Sequence, residues 1–133
     1  MNNKVILIFG GTGSLGYELN TRYCNSNIIY NFSRDECKHW EMKLHFNSNP
    51  NICFVIGNVA DRSIVEATIK RIKPDIIIIA SAMKHIDQCE INTAESLKTN
   101  LLGTQNIVDS IENNLSILQN LETVVFVSSD KAC

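Results

Sequence analysis

The chain has 133 residues, 44% of them hydrophobic and 20% charged, and a formal net charge of −2. That is enough for one domain with a real core and a globular rather than disordered composition. It excludes a basic surface for nucleic acid or anionic lipid, and the longest apolar runs, Ile76 to Ala80 among them, are strand-sized and too short to cross a membrane.

The first element in chain order is Val5–Phe9, a continuous apolar run that reads as a strand. The start "MNNKVILIFGG" lacks the basic segment, long apolar stretch and cleavage site of a secretory leader. Directly after it comes "GGTGSLG", in which Gly11, Gly13 and Gly16 satisfy G-x-G-x-x-G and Gly10, Gly13 and Gly16 satisfy G-x-x-G-x-x-G. Glycines at this spacing let the backbone approach a pyrophosphate closely. The helix that follows would then turn its first N–H groups and positive dipole end to the anion. The position between a predicted strand and a predicted helix is the context the motif requires.

Ile28–Phe32 is the second predicted strand, and it ends in "NFSRDE". A unit that binds NAD places Asp or Glu there to hold the ribose 2′-hydroxyl. Here Ser33 and Arg34 stand at that place, and a guanidinium suits a 2′-phosphate, so NADP is the expected cofactor. The alternative for the same stretch is that Ser33 and Glu36 form a capping box for the next helix.

Ile52–Ile56 is the third strand. Val65, Ile69 and Ile72 then recur at helical spacing behind Asp61, an N-cap, with Pro74 at the exit. Ile76–Ala80 is the fourth strand. Leu97, Leu101, Thr104, Val108 and Ile111 predict one stripe on a longer helix, opened by an Asn92–Glu95 capping box. Val124–Val127 reads as a buried fifth strand. The alternation of strand and helix predicts an α/β doubly wound parallel sheet of order 3-2-1-4-5. The five cysteines, Cys24, Cys37, Cys53, Cys89 and Cys133, are scattered without a C-x-x-C pair. That pattern predicts free thiols, a reducing, cytoplasmic setting and no metal site.

Several segments, in order along the whole chain, resemble the polysaccharide-biosynthesis nucleotide-sugar dehydratases, typified by the inverting UDP-N-acetylglucosamine 4,6-dehydratases of the extended short-chain dehydrogenase/reductase superfamily. "FSRDECK" resembles their second-strand signature, "ASAMKHIDQCE" their A-A-x-K-H-V-P-x-x-E segment, "TNLLGTQN" their T-N-x-x-G-T-x-N helix and "VSSDKA" their S-T-D-K-A. Asn58 and Asp87 depart from the Asp and Pro usual in the family, although the Asn58 amide can still hydrogen-bond adenine.

The resemblance implies a Rossmann domain spanning residues 1–133 that binds NADP. Thr12, Gly13, Ser14 and Leu15, with Gly10, Gly11 and Gly16 of the same loop, would hold the pyrophosphate. Ser33, Arg34, Asp35, Glu36 and Lys38 would surround the adenosine phosphate, and Asn58 and Val59 would lie beside adenine. Ala80, Ser81, Ala82, Lys84, Asn100 and Ser128 would line the cofactor toward the substrate. For Lys84 the alternative is a solvated loop lysine, and for His85 a structural histidine. Asn100 and Gly103 could instead shape the helix, with Asn100 a buried amide bracing the fourth strand.

By the same resemblance Lys131 is the base at C5 of a UDP-sugar, Asp130 the acid for the departing C6 hydroxyl, and Ser129 a contact to the sugar oxygen. The implied reaction is a lyase reaction of polysaccharide biosynthesis: C4 oxidation by NADP, loss of water across C5–C6, and return of the hydride to C6. An isolated Asp130–Lys131 could equally be an exposed ion pair. No Y-x-x-x-K follows Lys131. The expectation is therefore a cofactor half without the substrate domain, inactive alone, either a fragment or completed by a second polypeptide; the partners expected are a complementing C-terminal half or a second copy in a homo-oligomer. The alternatives are a non-catalytic NADP-binding fragment and a UDP-sugar 4-epimerase or reductase.

Overall fold

The computed structural model describes residues 2–10, 13–80 and 93–127, and for residues 93–101 the backbone alone. Strands and helices alternate: β1 (Val5–Phe9), α1 (Ser14–Tyr23), β2 (Ile28–Ser33), α2 (Glu36–His45), β3 (Ile52–Ile56), α3 (Arg62–Ile72), β4 (Ile76–Ile79), α4 (Thr93–Asn113) and β5 (Thr123–Phe126). Every pairing is parallel and the order is β3-β2-β1-β4-β5, the predicted doubly wound sheet.

Continuous apolar strands require cover on both faces, and two cores provide it. Leu7, Phe9, Phe32, Ile77 and Ile79 pack with Val65 and Ile69 of α3 and Ile107 of α4. Ile6, Ile8, Ile29, Ile76 and Ile78 form the other core, with Leu15, Leu19 and Tyr23 of α1 packed against it. Helix α3 starts where expected, the Asp61 carboxylate accepting from the Ser63 and Ile64 N–H groups. It stops at Lys73, which takes the left-handed conformation (φ 50°) before Pro74 ends the possibility of another turn.

Two expectations need correction. The run Val124–Val127 is not fully buried, because among the described residues β5 pairs with β4 alone; Val125 is 38% and Phe126 56% exposed. On α4 the buried residues include Gly103, Asn106, Ile107 and Ser110, while Thr104, Val108 and Ile111 sit half-buried on the flank. Over residues 102–113 the buried side of this helix is largely small and polar, so hydropathy shifts the apparent stripe there; the side chains of Leu97 and Leu101 lie outside the described residues.

Candidate cofactor-binding site

The register sets the strand ends level: Phe9 lies opposite Phe32 and Ile79, Phe32 opposite Val55, and Ile79 opposite Phe126. From β1 the sheet runs to β2 on one side and β4 on the other. The covering helices change face at that point. Such a switch point opens a crevice at the carboxyl ends of the strands, the place where ligands bind in open α/β sheets.

Gly10 leaves β1 with a φ of 87°, a conformation that favours glycine, while its N–H still donates to the Phe32 carbonyl (2.8 Å). Gly11 and Thr12 lie outside the described residues. Gly13 is the N-cap of α1 in extended conformation and offers no side-chain cap. A Cβ built on it would meet no atom within 4 Å beyond its chain neighbours, so the space beside it is open. Ser14 is exposed, Leu15 reaches into the core, and Gly16 is buried. The first turn of α1 carries no acidic residue. Helices α2 and α3, in contrast, are sealed by Asp35 and Asp61. The uncapped N–H groups of α1, at the positive end of its dipole, suit a pyrophosphate.

At the end of β2 the Ser33–Glu36 capping box is not what forms. Ser33 is still strand, its carbonyl accepting from the Gly57 N–H (3.0 Å). Its buried hydroxyl faces inward, 3.0 Å from His39 Nε2, and accepts from the Asp35 N–H (3.2 Å). The cap is Asp35, whose Oδ1 accepts from the Lys38 N–H (3.1 Å). Arg34, between these two fixed residues, is exposed and makes no ion pair among the described residues. Glu36 and Lys38 are exposed on the first turn of α2.

At the end of β3, Gly57 is held by contact rather than by φ: a Cβ there would lie 2.6 Å from Phe32 Cζ and 2.8 Å from Ile64 Cγ2. Asn58 is exposed, and its Oδ1 accepts from the Ala60 N–H (2.9 Å), which folds the following turn. Val59 is clamped by α4. Gly103 brings the helix so close that a Cβ would lie 2.6 Å from Val59 Cγ2, and Asn106 Nδ2 donates to the Val59 carbonyl (2.9 Å). The bracing amide that the structure displays is therefore Asn106, which holds the loop after β3. The Asn100 side chain lies outside the described residues.

Ala80 is buried beside β1, its N–H donating to the Phe9 carbonyl (2.8 Å). Ser81, Ala82, Lys84, His85, Ser128, Ser129, Asp130 and Lys131 lie outside the described residues. Val127, which precedes the last four, donates to the Ile79 carbonyl (3.0 Å) next to Ala80. Among the described residues, Cys24, Cys37 and Cys53 are free thiols, and burial raises the Cys53 pKa. No helix among them is long and apolar enough to cross a membrane.

Sequence reasoning passed over three supports of this site. Asn20 of α1 and Asn31 of β2 form a reciprocal amide pair at full burial, with bonds of 2.9 and 3.0 Å. His39 and Gly57 are the others. A polar residue in mid-strand, as Asn31 is, was the available signal for the first, and Gly directly after a strand was the signal for Gly57.

The parallel sheet of order 3-2-1-4-5, its switch point and the bare N-terminus of α1 define an α/β domain of the Rossmann type. The chain belongs to the polysaccharide biosynthesis protein family, whose model matches residues 6–133. It is 39% identical to a UDP-N-acetylglucosamine 4,6-dehydratase (inverting) of Campylobacter jejuni, over 99% of this chain and 38% of that protein. It is 33% identical to a UDP-glucose 4-epimerase of Rickettsia akari, over 98% of this chain and 38% of the relative. Among solved structures, the fold is shared with the Bordetella bronchiseptica enzyme WbmG in complex with NAD, at a TM-score of 0.72 and 21% identity, covering 94% of this chain and 37% of that one. The chain thus spans 38% of the length of these two curated relatives.

Proposed function

We propose that this chain, as one domain over residues 1–133, binds NADP and forms the cofactor part of a nucleotide-sugar 4,6-dehydratase acting on a UDP-N-acetylglucosamine-like substrate in the cytoplasm. The observation that carries the cofactor choice is the end of β2: Arg34 is exposed there, while the neighbouring Asp35 carboxylate is turned into the cap of α2. An exposed cation whose adjacent carboxylate is engaged in a helix cap favours a 2′-phosphate over a bare ribose.

In this reading the N–H groups at Gly13, Ser14 and Leu15 hold the pyrophosphate, and Arg34 and Lys38 take the 2′-phosphate. Asn58 and Val59 flank the adenine, and Ala80 forms the floor toward the nicotinamide. Bound NADP supplies a reversible hydride acceptor. Lys131 takes the C5 proton on Nζ, Asp130 gives a proton to the departing C6 hydroxyl, and Ser129 hydrogen-bonds the sugar. Burial that lowers the lysine pKa and raises that of the carboxyl would suit these roles. The base for C4 oxidation and the grip on UDP belong to sequence outside these 133 residues, in the same or a second polypeptide. The epimerase relative supports a second reading with the same cofactor; the Asp130–Lys131 pair favours the dehydratase.

Titration of the chain with NADP and NAD tests the cofactor assignment. NADP should bind more tightly, and Arg34→Asp should lower its affinity by roughly tenfold or more, the range for a charge-assisted hydrogen bond, while sparing NAD. Equal affinities in the unsubstituted chain would overturn it.

A further inference from the structure

We infer that His39 is a positioning residue for cofactor choice: its ring fixes the Ser33 hydroxyl, and through it the short turn that displays Arg34. The inference rests on the NADP reading of the β2 end. His39 sits on the second turn of α2 with only 5% of its surface exposed, and its ring lies against Phe54 of β3, centroids 5.0 Å apart. From there Nε2 reaches back 3.0 Å to Ser33 Oγ, itself on a residue 5% exposed. Ser33 Oγ also accepts the Asp35 N–H at 3.2 Å, and Asp35 Oδ1 accepts the Lys38 N–H at 3.1 Å.

Arg34 is thus the one exposed residue between two neighbours whose side chains are tied down. An exposed arginine spends side-chain entropy whenever it grips a ligand, and a mobile backbone beneath it would add to that cost. The His39–Ser33 bond holds the base of that turn. Whether the hydroxyl donates to a bare Nε2 or Nε2–H donates to the hydroxyl, the bond closes the same loop. Its loss would leave a buried hydroxyl with one partner and the turn free to open. In this reading His39 acts through Ser33 rather than by contact with the ligand. Its effect is confined to the group that distinguishes NADP from NAD.

The test is the ratio of NADP to NAD affinity in the intact chain, measured by calorimetric titration. His39→Phe keeps an aromatic ring against Phe54 but removes the bond, and should lower the ratio by about tenfold, the upper range for one neutral hydrogen bond, with NAD affinity unchanged. His39→Gln restores a donor and acceptor and should recover most of the ratio. If His39→Phe folds poorly, His39→Met removes the same bond with a more adaptable side chain. An unchanged ratio in the apolar variant, or an equal loss for both nucleotides, overturns the inference. If the unsubstituted chain has no preference for NADP, the cofactor assignment itself has failed.

Discussion

The Asn20–Asn31 pair ties the helix of the glycine loop to the strand that carries Arg34, and its energetics can be worked from the contacts. Both side chains are fully buried. Asn20 Nδ2 donates to the Gly16 carbonyl (2.7 Å) and to Asn31 Oδ1 (2.9 Å); Asn31 Nδ2 donates to Asn20 Oδ1 (3.0 Å) and to the Cys53 carbonyl (3.4 Å). Removing either partner strands a buried acceptor on the other, at about 1–3 kcal/mol, in addition to the bonds lost. Asn20→Ala and Asn31→Leu should therefore each cost roughly 2–4 kcal/mol, with cavity and overpacking terms included. Together an alanine and a leucine occupy nearly the volume of two asparagines and leave no amide unpaired. The double variant should then be more stable than the sum of the singles predicts, by about 2 kcal/mol, the orphan penalty no longer being incurred. Urea unfolding followed by circular dichroism measures all four proteins. Additivity within about 0.5 kcal/mol would refute the reciprocal pair as an energetic unit.

Gly57→Ala should destabilise the chain by about 1–3 kcal/mol, because Phe32 is fully buried and cannot yield to a Cβ 2.6 Å from its Cζ; Phe32→Leu in the same chain should recover part of that loss in thermal unfolding. When the chain is joined after Cys133 to the remaining length of a dehydratase relative, Lys131→Ala should abolish elimination and C5 deuterium exchange while C4 oxidation persists. Normal elimination in that variant would remove Lys131 from the chemistry.

The fold was legible because each strand is a short continuous apolar run and three helix boundaries carry local chemistry: Gly13 at the start of α1, Asp61 at the start of α3 and Pro74 after its end. These signals depend on neighbouring residues only. The buried side of α4 was legible only at Gly103, for the opposite reason. Gly103 and Asn106 are chosen by a loop more than forty positions away in sequence, through the Val59 side chain and carbonyl. Neither residue is apolar, so a hydropathy stripe passes beside them. The Asn20–Asn31 pair escaped for the same reason, since an amide buried against another amide looks like a surface residue until its partner is known.

The end of β2 shows where reading a sequence reaches its limit in charge as well as in packing. "SRDE" places a cation between a hydroxyl and two carboxylates, and from the letters alone either sign could face the ligand. The backbone decides. Because β2 continues through Ser33, the helix must be capped one or two residues later, and Asp35 is the residue with the side chain to do it. Once Asp35 Oδ1 accepts the Lys38 N–H, that oxygen is engaged in the cap rather than offered to a ribose hydroxyl. The capping requirement of α2 and the proposed preference for a phosphorylated ribose are thus met by one arrangement. A substitution that moved the cap to Ser33 would release Asp35 toward the crevice, and the change in cofactor preference would then follow from a change in helix start.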